Sequence, residues 1–319
     1  MMPAKVVIFG GSGFVGSCLA GRLAARGVQV TVPTRRPESR KSLALLPGVR
    51  LLAADSHDPL TLNELIGDAD AVINLVGILH DRDGSAPYGK RFAAAHVELP
   101  RRIVAAMRST GVRRLLHMSA LKASVDAPSA YLRSKAAGEA VVLDPANGLE
   151  VTVFRPSVIF GPGDAFLNLF AGLLATAPFL PLAGADTRFQ PVYVGDVADA
   201  FCAALNNSET IGRVYELGGP ASYRLRDLVA YVGQLTGHAR PVCGLPYFLA
   251  RLQAGILGLL PNPPMSPDNL RSLQVDSVTD GLHVFPGWQP QSLEAVAPTY
   301  LKPFTARSRL DELRRHSGR

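Results

Sequence analysis

With 319 residues, 47% apolar and 18% charged, the chain suits one large core with a companion or two domains, and is too apolar for disorder. Its net charge of +7 comes without any nucleic-acid motif, so nucleic acid is set aside as a partner. Cys18, Cys202 and Cys243 are scattered and the histidines lack ligand spacing, which excludes a metal site or disulfide framework and fits a reducing compartment.

The first predicted strand begins at Lys5 and runs through Val6-Val7-Ile8-Phe9, leaving no room for a signal peptide. Gly10-Gly11-Ser12-Gly13-Phe14-Val15-Gly16 follows, with an amphipathic helix expected over 14–26. Strand, tight turn and helix start form the context in which such glycines cradle a dinucleotide. Gly10 suits the turn, Gly13 leaves room for a pyrophosphate, and Gly16 lets the helix approach the strand. The helix-start amides and the helix dipole then favour phosphate. The competing reading is a glycine-rich turn of some other α/β protein.

A second strand is predicted over 28–32, followed by Arg35 and Arg36 where NAD-preferring folds usually hold an acid. A guanidinium can pair bidentately with a 2′-phosphate, which points to NADP(H) with NAD(H) as the alternative. A solvated basic turn is the plainer explanation. A strand over 50–54 ends at Asp55, placed to accept from the adenine amino group. After a helix over 59–66, the strand over 71–76 brings Asn74, Val76 and Gly77 to its carboxyl end, where open α/β sheets bind ligands. A polar loop over 81–89, a long helix from 90 to 109 and a strand over 113–118 continue the alternation. Such a run predicts a parallel sheet covered on both faces.

Ser119 ends that strand, and Tyr131 and Lys135 follow on one helical face, four residues apart. A neighbouring ammonium lowers a tyrosine pKa from about 10, making Tyr131 a candidate general acid/base, with Ser119 bonding the same substrate oxygen. The alternative is a helix-surface pair.

Together the glycine turn and Tyr131-Leu132-Arg133-Ser134-Lys135 resemble the short-chain dehydrogenase/reductase superfamily in its extended or atypical branch. Arg155-Pro156-Ser157-Val158-Ile159-Phe160-Gly161-Pro162-Gly163-Asp164 and Gln190-Pro191-Val192-Tyr193-Val194-Gly195-Asp196-Val197-Ala198 are similar to two further stretches of that branch. Within it, the chain most resembles the NAD(P)-binding accessory subunits of respiratory complex I and their bacterial relatives. The likeness is good over about 5–220 and loose beyond. It implies a Rossmann-type doubly wound parallel sheet with a smaller, mainly helical C-terminal domain. It also implies a dinucleotide held by the glycine turn, by Asn74, Val76 and Gly77, and by Pro156 and Val158. Tyr131, Lys135 and Ser119 would form the proton-moving set, with Lys135 also orienting ribose. Phe9 stands where a threonine commonly precedes the first glycine, and His96-Val97-Glu98 lies where an asparagine motif is common. Both departures fit an atypical member, and the complex I subunit is understood mainly as a structural holder of its cofactor.

The stretch 165–183 is apolar apart from Asn168 and Thr176, poor at matching sugar hydroxyls and better suited to a quinone- or isoprenoid-like ligand, or to plain burial. A helix over 196–205 and a strand over 214–217 precede Gly218-Gly219-Pro220. Helices are expected over 223–235 and 246–260, the second either closing the pocket as core or lying in a membrane interface, with a short helical region over 266–273. The expected domains are 1–163 with 188–222 and 164–187 with 223–305. A basic tail spans 306–319, where Arg307, Arg309, Arg314, Arg315 and Arg319 outweigh Asp311 and Glu312. That tail is either solvated or drawn to an anionic membrane or acidic partner.

The expected function is an NAD(P)(H)-dependent reductase, epimerase or dehydratase acting on an apolar substrate. Its rivals are a non-catalytic accessory or assembly subunit of a respiratory or quinone-synthesis complex, a nucleotide-sugar enzyme, and an NADP(H) sensor. The expected location is cytoplasmic, at most peripheral to the inner face of a membrane.

Overall fold

The computed structural model describes residues 3–56, 58–260 and 263–302. Seven strands form one sheet: β1 (Lys5–Phe9), β2 (Gln29–Thr34), β3 (Val49–Ala53), β4 (Ala71–Asn74), β5 (Arg114–Met118), β6 (Glu150–Pro156) and β7 (Arg213–Leu217). Every pairing is parallel, in the spatial order β7-β6-β5-β4-β1-β2-β3. Strand β1 reads as an unbroken apolar run because both of its faces are covered. Val6 and Ile8 enter one core, and Val7 and Phe9 the other, as the two-residue period of a strand requires.

On the first face lie α1 (Phe14–Ala24) and a later helix, Val194–Leu205. On the second lie α2 (Pro59–Gly67), α3 (Leu99–Thr110) and part of α4 (Ala130–Leu143). This is the doubly wound arrangement expected from the sequence. Chain order reverses between β1 and β4, whose ends meet through Phe9 opposite Asn74 and a hydrogen bond from Leu75 N to Phe9 O of 2.9 Å. That reversal makes the crevice in which open α/β sheets take ligands. Arg114, buried in β5, ties the far side together by donating to Glu150 O, Thr152 Oγ1, Ala204 O and Thr210 Oγ1.

Beyond the sheet, α5 (Phe166–Thr176) packs Leu167, Phe170 and Leu174 against Leu225, Leu228 and Val232, the last three from the start and body of α7 (Leu225–Thr236). The helix Val194–Leu205 is α6 in this order. Much of the apolar stretch 165–183 is thus spent on a second core. Asp164 holds its entry, accepting from Leu167 N at 2.6 Å and from the Tyr300 hydroxyl at 2.7 Å. The stretch 190–198 likewise fastens the C-terminal region. Gln190 Oε1 accepts from Thr279 N at 2.9 Å, and Asp196 Oδ2 from Gln291 N at 2.7 Å.

Three elements differ from expectation. The helix predicted over 90–109 is broken by a π-helical segment, Ala93–Glu98, just before α3. Pro100 has no N–H for the His96 carbonyl four residues back and its ring crowds that turn, so the helix widens there. The helix predicted over 223–235 starts as a strand, Tyr223–Arg224, paired antiparallel with Arg188–Phe189. Within 246–260 the helix is α8 (Tyr247–Leu257), and it buries Ala250 and Ala254 while turning larger side chains outward. It is followed by α9 (Pro267–Ser272). The basic tail at 306–319 lies outside the described residues.

Candidate functional site

The turn after β1 is built by close approach. Gly10 has φ +79, and a Cβ on it would lie 3.0 Å from the Leu75 carbonyl carbon and the Val76 nitrogen. At Gly16 a Cβ would be driven into the Gly10 carbonyl and the Gly11 backbone, so α1 packs on the turn only without a side chain there. Gly11 is pressed against Val32 of β2. Ser12 and Phe14 are half-buried, Gly13 is exposed and Val15 is buried. Gly13 is the N-cap of α1 and supplies no capping side chain, and the first turn holds no acidic residue. The first amides of α1 are left for an anion, with the helix dipole behind them. The cradle that Cβ atoms would fill fits a dinucleotide.

Arg35 and Arg36 are exposed directly after β2, and the Arg36 amide donates to Thr34 Oγ1 at 3.4 Å. Asp55, also exposed, follows β3 on the same edge of the sheet. Asn74 is buried at the end of β4. Its Oδ1 accepts from Val76 N at 3.1 Å and its Nδ2 donates to His117 Nδ1 at 3.2 Å, so it shapes the turn at Val76 and Gly77. Gly77 lies beside the other half of the site, since a Cβ there would be 3.7 Å from Lys135 Nζ. Pro156 is buried with its carbonyl taken by Leu121 N at 3.0 Å, and the carbonyl of half-buried Val158 is taken by Val192 N at 3.0 Å.

Ser119 follows β5 and its amide donates to Phe154 O at 2.7 Å. Its hydroxyl is buried and has no hydrogen-bond partner in the protein. Helix α4 carries Tyr131 and Lys135, and its N-terminus is held twice. Ser129 Oγ accepts from Leu132 N at 3.2 Å, while Asp268 of α9 accepts from Ala130 N at 2.8 Å and Tyr131 N at 2.9 Å. Lys135 Nζ donates to Met118 O at 2.7 Å, which places the ammonium against the end of β5 beside Ser119.

Here the electrostatics depart from the sequence expectation. Burial pulls Lys135 down to about 8, with Glu139 partly opposing. Burial pushes the Tyr131 phenol up to about 12 rather than down. Lys135 has lost its proton well before the phenol titrates, so desolvation governs the tyrosine. Tyr131 is therefore a protonated donor at neutral pH.

His96 belongs to this cluster, although sequence reasoning marked it only as a departure from an asparagine motif. The π-helical segment carries its ring between Ile78 and Tyr131. His96 Nε2 accepts from Ile78 N at 3.0 Å, which fixes the proton on Nδ1 for the 2.7 Å contact with Ser134 Oγ. Ser134 Oγ in turn donates to Tyr131 O at 2.7 Å. The His96 and Tyr131 rings meet edge to face, 5.7 Å between centroids. Gly138 makes this possible, since a Cβ on it would run into the His96 carbonyl. Pro100 was the signal available in the sequence.

The model of the NAD dependent epimerase/dehydratase family matches residues 6–218. The chain belongs to this family. Among relatives of this epimerase/dehydratase member is the mitochondrial NADH dehydrogenase [ubiquinone] 1 alpha subcomplex subunit 9 of Arabidopsis thaliana. It is 33% identical, over 85% of this chain and 69% of that protein. A ceramide reductase of Caulobacter vibrioides is 32% identical over 62% of this chain and 60% of its own length. In fold, the chain is similar to UDP-glucuronic acid 4-epimerase from Bacillus cereus, solved with UDP-glucuronic acid and NAD. That likeness has a TM-score of 0.66 and 18% identity, covering 86% of this chain and 95% of the other.

Proposed function

We propose that this family member is an NADP(H)-binding reductase of an apolar carbonyl compound. The observation that carries the reading is the buried Ser119 hydroxyl without a partner, set beside the Lys135 ammonium at the end of β5. A buried hydroxyl left unbonded costs stability unless a ligand completes it. When bound, the reduced nicotinamide supplies hydride to a carbonyl carbon. The Tyr131 hydroxyl gives its proton to the carbonyl oxygen, and Ser119 holds that oxygen by donating Oγ–H. Lys135 keeps positive charge beside the site and returns a proton to the phenolate. Held near 12, Tyr131 stands protonated at neutral pH, the form that carbonyl reduction requires of its proton donor. Gly10 to Gly16, Val76, Gly77, Pro156 and Val158 would hold the dinucleotide, with Asp55 on the adenine and Arg35 and Arg36 on the 2′-phosphate. The ceramide reductase relative supports an apolar substrate. We place this activity in the cytoplasm; among the described residues no helix is long and apolar enough to cross a membrane.

The test is NADPH oxidation with a panel of isoprenoid quinones and long-chain ketones. Tyr131→Phe should abolish turnover and leave NADPH affinity within about twofold. A second reading, a cofactor-holding subunit of a respiratory complex, is favoured by the likeness to subunit 9 over most of the chain. Under it, Tyr131→Phe would restore full cellular function to a strain lacking the protein.

A further inference from the structure

We propose that α8 (Tyr247–Leu257) and the turn after it dock this protein in the plane of an anionic lipid bilayer. An ordinary surface helix buries its large apolar side chains and exposes its small or polar ones. Here the arrangement is reversed. The inward face consists of Ala250 and Ala254, packed with Ala183 and Leu270. Phe248, Leu252, Ile256 and Leu259 face out, at 69%, 61%, 60% and 81% exposure. Their spacing of four, four and three residues places them in one stripe opposite the two alanines. Such a stripe costs solubility on a free surface and marks a contact site.

Charge indicates what covers it. From Leu228 to Pro267 the sequence contains no Asp or Glu, while Arg240 and Arg251 are exposed there. Arg82, exposed on the loop after β4, donates its guanidinium to the Leu260 carbonyl and adds a cation at the C-terminal end of the stripe. The acids beside it are turned onto their own loop. Asp81 Oδ2 accepts from Phe92 N at 2.9 Å, and Asp83 Oδ2 from Lys90 N at 3.1 Å. An apolar stripe on a segment without acids, with Arg251 beside it and Arg82 at its end, matches acyl chains beneath anionic headgroups, where such helices lie about 5–10 Å deep. The sequence of 306–319 adds three net positive charges to the same molecule, five Arg against Asp311 and Glu312.

The docking face adjoins the site. Asn269 of α9 donates to Leu79 O at 3.3 Å, and Leu79 is itself exposed, two residues beyond Gly77. Asp268, the neighbour of Asn269, caps the helix that carries Tyr131. A bilayer under α8 would therefore lie against the loop that leads to the site, where a membrane-dissolved substrate is at hand. That last clause rests on the reductase reading; the docking does not, and binding is measured without turnover.

The experiment is flotation of the full chain with vesicles of phosphatidylcholine alone and with about one lipid in three replaced by phosphatidylglycerol. Binding is expected on the anionic vesicles, weakened by raised salt. Phe248→Ser/Leu252→Ser/Ile256→Ser should weaken it at least about tenfold, and Arg251→Glu about fivefold. Because all four side chains are exposed, Tm and NADPH affinity should not fall in either variant. Absence of wild-type binding, or equal binding by the triple variant, overturns the proposal. So does sedimentation as a dimer that the triple variant converts to monomer without any vesicle binding, which would make the stripe a seam between two copies.

Discussion

Ser119 carries a hydroxyl that the protein encloses without bonding, and Lys135 an ammonium that it desolvates to a pKa of about 8. Each lowers the stability of the ligand-free chain, and each is retained at the end of β5 where a ligand oxygen and ribose would sit. Mutation should therefore separate stability from function. Ser119→Ala removes an unsatisfied donor and should stabilise the free protein by about 1 kcal/mol while lowering kcat for carbonyl reduction. Lys135→Met removes a desolvated charge but leaves Met118 O unpaired, so its net gain should be roughly 1 kcal/mol, with turnover lost. Urea denaturation beside single-turnover NADPH oxidation checks both. If both variants proved less stable than wild type, neither group would be held in reserve for a ligand. At the cofactor edge, Arg35→Ala with Arg36→Ala should weaken NADPH binding by at least about tenfold and NADH binding far less. Equal losses measured by fluorescence titration would reduce the pair to a basic turn.

At the level of elements, helix α4, which carries Tyr131 and Lys135, is positioned from outside its own segment. Asp268 on α9 takes the amides of Ala130 and Tyr131, as a helix-start carboxylate does, and it is 94% buried while doing so. Asp268→Ala should cost about 1–3 kcal/mol and loosen the first turn of α4. The kinetic signature of a positioning role is a fall in kcat with NADPH affinity retained; loss of both together would indicate simple unfolding. This contact also shows where sequence reading stops. The β1–turn–α1 unit and the Tyr131/Lys135 pair could be read because their residues are contiguous or one helical turn apart. Asp268 lies 137 residues from Tyr131, and the packing that joins them has no local signature. The π-helical segment was half visible through Pro100, but its effect on His96 depends on Gly138 in another helix. For 246–260 the sequence left core and membrane interface both open, and only packing could tell that Ala250 and Ala254, rather than phenylalanine and leucine, face the core.

Across the whole molecule, the site sets how stability follows pH. Burial drives His96 down to about 2 and His117 down to about 3, and the nearby Lys135 ammonium opposes protonation of both. In the unfolded chain each titrates near 6.5. Between about 3 and 6.5 the unfolded state therefore binds two more protons than the native one, and stability must fall as the pH is lowered, by roughly 3 kcal/mol per unit. Going from neutrality to pH 5 should remove roughly 4 kcal/mol, a large share of a typical total of about 5–15 kcal/mol. Lys135 acts in the opposite range. Its native value of about 8 against 10.5 means that the unfolded state again holds the extra proton above pH 8, so stability rises there. Reduction that needs the Lys135 ammonium should decline over that same interval. The expected pattern is a steep acid transition below pH 6.5, a plateau to pH 8, and then a stability gain as kcat drops. Urea midpoints at pH 5, 6, 7.5 and 9 on the ligand-free protein measure the first three features, and the pH–rate profile the fourth. His117→Gln keeps an acceptor for Asn74 Nδ2 and should halve the acid slope. A midpoint unchanged from pH 7.5 to 5 would mean that the histidines are charged inside the fold, which the hydrogen bond from Ile78 N to His96 Nε2 does not allow.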